Sequence, residues 1–135
     1  MPRVFLDANV LFSAGYNPSG GTGGLWRLKT VELLTSRYAA AEAYRNMAEK
    51  YPDRLAQLDQ VIGACCLVPE APLQTLPAEV VLPEDDRPIL QAAMATNADV
   101  LLSGDNHFRP YLGRAFGSLR IMRPRQFFVA MTSNR

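Results

Sequence analysis

Two aspartates stand where short apolar runs end: Asp7 closes VFLD at residues 4–7, and Asp105 closes DVLLSGD at residues 99–105. A strand that ends on a carboxylate at its carboxyl end delivers that charge to the edge of a parallel sheet where ligands bind. If the two strands are neighbours, the carboxylates meet and repel. The pair is tolerable if one member is protonated or if a cation neutralises both, and hard oxygen donors of this kind select Mg²⁺ or Mn²⁺.

Further acids are spaced to join them. Glu42 and Glu49 lie seven residues apart in a helix-forming stretch, on nearly the same face but ~10 Å apart along the axis, so only one can reach a site near the helix start. Glu42, flanked by alanines and within two turns of that start, is the better placed, although the pattern alone suits a solvated surface glutamate equally well. Glu84, Asp85 and Asp86 precede a helix with Pro88 in its first turn, and on spacing alone they read as capping residues. Asp99 opens its strand and reads as structural. Cys65 and Cys66 are the chain's two cysteines; adjacent and in an apolar setting, they are expected to be reduced and buried rather than bridged or metal-bound.

The elements that must position these groups alternate between strand and helix. Strands are expected at 3–7, 31–36, 65–69, 99–105 and 119–122. Between the first two, a turn leads into apolar Val10, Leu11 and Phe12, NPSGGTGG at 17–24 reads as a flexible surface loop, and LWRLK as a short helix. The loop's glycines form neither a Gly-Lys-Ser/Thr phosphate loop nor GxGxxG, since Trp26 stands where the last glycine belongs. Helices are expected from an N-cap at Ser36 to about residue 51, from Asp53 to about Ala64 with Leu55, Leu58, Val61 and Ile62 on one stripe, over 86–97, and over PRQFFVAM near the end. A proline-punctuated connector spans 71–83. The expected fold class is α/β, with a central, mainly parallel sheet of four to five strands flanked by helices.

With 135 residues, the chain is the size of one domain with a real core, and residues 1–135 are expected to form one. No apolar run reaches the ~18 to 20 residues that span a bilayer, and Asp7 interrupts any signal-peptide core, so a cytoplasmic location is expected, with no membrane role. The net charge of +1 hides a segregation: residues 1–105 carry eight basic side chains against thirteen acidic ones, while residues 106–135 carry six arginines and no acid. Arg109, Arg114, Arg123 and Arg125 are therefore a plausible phosphate-contacting surface, and scattered solvated arginines explain the same pattern as well.

DANVLFSA, AAAEAY and DRPILQAAMATNADVLLSGDNHF together resemble the PIN-domain ribonucleases, especially the bacterial toxin components of toxin-antitoxin pairs. The likeness runs from the first strand to about Phe108. It implies a metal-dependent ribonuclease, an Mg²⁺ or Mn²⁺ cofactor, and a catalytic, metal-holding set of Asp7, Glu42, Asp86 and Asp105, which overrides capping as the sole role of Asp86. It also implies supporting positions at Asn9 and Ser103, an RNA substrate, a cognate antitoxin protein and a homodimer; the arginine-rich segment lies outside the matching blocks, and an RNA-binding role for it rests on charge alone. Some relatives carry another acid where this chain has His107, so occupancy by a second metal is open, and His107 is expected at the rim of an oxygen site rather than in it.

Two other classes compete. A catalytically inactive PIN-fold module that binds RNA or protein is disfavoured by the complete set of acids. A phosphatase of the haloacid dehalogenase type would need an aspartate where Asn9 stands. The apolar QFFVAM suits an interface or, more commonly, a core helix.

Overall fold

The computed structural model describes residues 1–69 and 76–133. The first part of the connector expected at 71–83 and the terminal Arg135 thus lie outside the described residues. The elements run β1 (Arg3–Leu6), α1 (Ala8–Tyr16), a 3₁₀ turn (Thr22–Arg27), β2 (Glu32–Thr35), α2 (Arg37–Lys50), a 3₁₀ turn (Pro52–Arg54) and α3 (Leu55–Gly63). They continue with β3 (Cys66–Leu67), a 3₁₀ turn (Glu84–Asp86), α4 (Arg87–Ala95), β4 (Val100–Leu102), a 3₁₀ turn (Asn106–Tyr111), β5 (Ala115–Phe116), β6 (Leu119–Met122) and α5 (Pro124–Ser133).

The strands form a sheet of order β3-β2-β1-β4-β6-β5. Every pairing is parallel except the β5–β6 hairpin, whose two-residue turn places Gly117 at φ 64°. The five expected strands are present, and among the described residues β5, too short to show a period, adds a sixth. Because β1 is followed outward by β2 and β3 on one side and by β4 and β6 on the other, the chain reverses direction across the β1–β4 seam, where open α/β sheets place their ligand crevice.

The first helix departs from the sequence expectation. The sequence predicts only a turn leading into apolar Val10, Leu11 and Phe12, yet residues 8–16 form α1, because Asp7 N-caps it by accepting from Ala8 N. Gly15 lets α1 approach α3: a Cβ there would lie 2.9 Å from the Leu58 backbone. The glycine-rich stretch is likewise tighter than a flexible loop, since Gly23 and Gly24 are buried and a Cβ on Gly23 would meet Pro18 O at 1.9 Å. The short helix expected at LWRLK is the end of the 3₁₀ turn that begins at Thr22.

Ser36 caps α2 as expected, accepting from Ala39 N at 3.1 Å. In α3, Leu58, Val61 and Ile62 face the core. Helix α4 ends in a Schellman turn: Ala98 N bonds Ala93 O, Asn97 N bonds Met94 O, and Asn97 takes φ 56°. This sharp stop leads straight into β4. The core gathers Val4, Phe5, Leu6, Leu34, Leu101, Leu102 and Ile121 from the sheet with Leu11, Met47, Leu58, Leu90 and Phe127 from the helices. Phe127 is the buried residue of α5, so QFFVAM contributes to the core.

Cys65 and Cys66 are free, as expected, but not jointly buried. Cys66 lies exposed on the short edge strand β3, and Cys65 is half-buried, with its thiol pushed up to about 12 chiefly by burial. Among the described residues no helix is long and apolar enough to cross a membrane.

Candidate metal and nuclease site

Asp7 leaves β1 at the seam and is 2% exposed. Its backbone N–H continues the ladder to Leu102 O (3.1 Å), which fixes the carboxylate against the end of β4. Oδ1 accepts from Ala8 N (2.7 Å), and Oδ2 accepts from Ser103 Oγ (2.7 Å) and Asn9 Nδ2 (3.3 Å). Burial pushes its pKa up to about 6; the bonds from Ser103 and Ala8 pull it down, and the nearby charges of Glu42 and Asp105 push it up.

Asn9 and Ser103 knit the two strand ends together. Asn9 Oδ1 accepts from Gly104 N (2.8 Å), and Ser103 Oγ accepts from Asp105 N (3.0 Å). Asp105 itself lies three residues beyond β4, which stops at Leu102 rather than running to 105. It N-caps the following 3₁₀ turn, with Oδ1 accepting from His107 N (2.9 Å).

Asp86 occupies the N-cap position of α4, yet its side chain makes no capping bond there. Its Oδ2 instead lies 2.7 Å from His107 Nδ1, which is also 3.1 Å from Asp105 Oδ1. Capping, preferred on spacing alone, therefore does not account for its side chain. Burial raises the Asp86 pKa first and the Asp105 charge second, with His107 opposing. His107 is raised in turn, first by the Asp105 charge and then by its bond to Asp86.

Glu42 projects from the second turn of α2 and is half-buried, its pKa raised by burial and then by Asp86, with the Arg45 charge opposing and smaller contributions from Asp85 and Asp105. The structure thus brings Asp86 and Asp105 together with His107, while Asp7 and Glu42 stand outside that ligand-distance group and are coupled to it by charge, Asp7 with Glu42 and Asp105, and Glu42 with Asp86 and Asp105; Glu49 stays on the exposed far end of the helix. One neighbour went unread in the sequence. Tyr38, four residues before Glu42 and so on the same face, donates from its hydroxyl to Asp85 O (2.8 Å) and feels the charges of Asp85, Glu42 and Asp86.

Among the described residues, no lysine or arginine forms an ion pair with any of these four acids. Asp86, Asp105 and His107 offer ligand atoms within 4.8 Å of one another, an arrangement that can hold a metal ion. Converging carboxylates, one of them buried beside like charges, suit a cation chemically, and their hard oxygens suit a divalent one.

The four arginines divide. Arg123 is half-buried and braces the loop carrying Asp105, donating to Ser103 O (3.1 Å), Asp105 O (3.0 Å) and Asn106 Oδ1 (3.3 Å). With exposed Arg125 it lines a groove of about 570 Å³ that begins at Asp105 and passes Asn9, Ser13 and Thr22. Arg109 and Arg114 lie outside that lining; Arg114 stacks over the Tyr111 ring at 5.8 Å.

Residues 3–107 match the PIN domain. The chain belongs to the PIN-domain family. PIN domains are typically metal-dependent nucleases, and the mostly parallel, helix-flanked sheet is typical of them. Solved structures share the fold, among them the following three. VapBC2 from Rickettsia felis, bound to a DNA fragment from its promoter, aligns at TM-score 0.66 and 16% identity, covering 90% of this chain and 98% of that one. The sarcin-ricin loop cleaving toxin VapC20 of Mycobacterium tuberculosis aligns at 0.55 and 11%, covering 87% and 98%. The PIN domain of T. brucei RRP44 aligns at 0.57 and 14%, covering 98% and 80%. At these identities the likeness is one of fold. No curated protein matches the chain significantly.

Proposed function

We propose that this PIN domain, spanning residues 1–135, is an Mg²⁺- or Mn²⁺-dependent endoribonuclease and the toxin of a toxin-antitoxin pair. The observation that carries the reading is the convergence of Asp7, Glu42, Asp86 and Asp105 at the carboxyl end of the β1–β4 seam, within a family whose members are typically metal-dependent nucleases. The toxin assignment draws on the fold shared with VapBC2 and VapC20.

In this reading Asp7 and Asp105 are direct metal ligands, and Asp86 is a ligand or a water-mediated contact. A divalent ion bound there supplies a polarised phosphoryl oxygen, a more acidic water and a stabilised leaving oxygen. Asp7 suits its role through rigidity, since three donors hold its carboxylate while Asn9 and Ser103 fix the strand ends around it. Glu42, half-exposed on α2, is free to accept a hydrogen bond from the attacking water and orient it in line with the phosphorus. The groove past Asn9, Ser13 and Thr22, with Arg125 at its wall, carries the RNA backbone on one side of the acids, and Arg123 holds the Asp105 loop in register. An antitoxin would cover the acidic edge, and a homodimer is part of the same proposal.

The test is cleavage of labelled single-stranded and hairpin RNAs by purified protein with Mn²⁺ or Mg²⁺. Cleavage should disappear with EDTA and in Asp7→Asn. Cleavage that survives both would overturn the metal-nuclease reading.

A further inference from the structure

Within the acidic site, one donor is not an oxygen. His107 is the chain's sole histidine, and the local backbone aims it. Asp105 caps the 3₁₀ turn by accepting from His107 N (2.9 Å), and this turns the imidazole back over the carboxylates. Nδ1 then lies 2.7 Å from Asp86 Oδ2 and 3.1 Å from Asp105 Oδ1, and the three donor atoms fall within 4.8 Å of one another.

Such separations suit two different occupants. A proton shared between a ring nitrogen and a carboxylate draws the heavy atoms to ~2.7–2.9 Å. Donors in adjacent positions around a six-coordinate ion with bonds of ~2.1–2.2 Å stand ~3 Å apart. Exchange between the two needs no backbone movement. With the ring hydrogen on Nε2, the Nδ1 lone pair faces Asp86 and Asp105 and can take the ion.

We propose that His107 ligates, through Nδ1, the divalent ion held by Asp86 and Asp105, and that this nitrogen makes the site select Mn²⁺ over Mg²⁺. The inference rests on the metal-nuclease reading above and goes beyond it in naming a nitrogen ligand. Mg²⁺ is bound by oxygen and gives up water reluctantly, whereas Mn²⁺ accepts imidazole alongside carboxylates. An oxygen-only set discriminates weakly between the two ions; replacing one oxygen by an imidazole tilts the balance toward the transition metal. The rim position expected for His107 followed from taking the site as purely oxygen-donating, which the geometry does not require.

The chain's single histidine makes the test unambiguous. Untagged protein loaded with Mn²⁺ is examined by electron spin echo envelope modulation, beside His107→Ala and His107→Asp, and Mn²⁺ and Mg²⁺ affinities are compared by competition. Expected are an imidazole ¹⁴N modulation in the wild type, its loss in both variants while Mn²⁺ still binds, and a roughly tenfold fall in the Mn²⁺/Mg²⁺ affinity ratio for His107→Asp. Thermal melts of both variants check that this exposed substitution leaves the fold intact. Bound Mn²⁺ without imidazole modulation, or an unchanged affinity ratio, overturns the proposal and leaves the metal-nuclease reading standing. Failure of the wild type to bind Mn²⁺ removes both.

Discussion

At the amino end of the β1–β4 seam, Asp99 Oδ2 accepts from Arg3 N at 2.8 Å, Asp99 N donates to Arg3 O, and Arg3 Nε lies 3.3 Å from Glu32. At the carboxyl end of the same two strands, Asp7 and Asp105 meet Glu42 and Asp86, and among the described residues the only ion-pairing partner is His107. One end satisfies its acids with a basic strand residue and backbone donors. The other gathers acids and leaves their charge to be met from outside the chain. Charge placed this way costs stability in the free protein and is retained where it serves a ligand, so the contrast separates acids that hold the fold from acids that await an ion.

The largest effect that tests the contrast is on activity. Asp105→Asn should lower RNA cleavage by about 10²- to 10³-fold with the melting temperature little changed, whereas Asp99→Asn should leave kcat intact. Equal losses in both would dissolve the distinction. Second is metal binding: Mn²⁺ at about 100 times its dissociation constant should stabilise the wild type by about 2.7 kcal/mol in thermal or denaturant unfolding, and EDTA should reverse this. No response to Mn²⁺ would argue that the carboxyl end has no ion to await. Third, Asp99→Ala should cost about 1–2 kcal/mol, several degrees of melting temperature, by orphaning Arg3 N. Smallest, Asp7→Asn should change the stability of the metal-free protein at neutral pH by no more than about 1 kcal/mol, since relief of a buried charge is offset by an amide N–H₂ that replaces Oδ2 beside the donors Ser103 Oγ and Asn9 Nδ2. In Mn²⁺ the wild type should become clearly the more stable, because it gains what the variant cannot.

Much of this architecture could be read from residue order. Short apolar runs, the Ser36 cap, the stripe of α3, Pro88 in a first turn and the apolar PRQFFVAM carried five strands, four helices and the placement of Asp7 and Asp105, because each depends on local pattern. What escaped depends on tertiary contact. α1 hid behind ANVLF, whose apolar run looks like the continuation of a strand until the Asp7 carboxylate is seen accepting from Ala8 N. Gly23 and Gly24 looked like loop filler, although close approach of Pro18 requires a glycine at 23. Cys66 looked buried because its neighbours are apolar, yet β3 is an edge strand of two residues. Asp86 looked like a cap because the sequence shows the helix start and not His107 across from it. The same blindness explains the arginines: spacing cannot reveal that Arg123 turns inward to the Asp105 loop while Arg125 faces the groove.

The most direct test of the central claim, that the carboxyl end of the seam is built around a divalent ion, is anomalous diffraction at the manganese edge from crystals soaked in Mn²⁺. An anomalous peak bonded to carboxylate oxygens of Asp105 and Asp86, and absent in Asp105→Asn crystals, is the predicted result. Well-diffracting soaked crystals with no peak among Asp7, Glu42, Asp86 and Asp105 would contradict it.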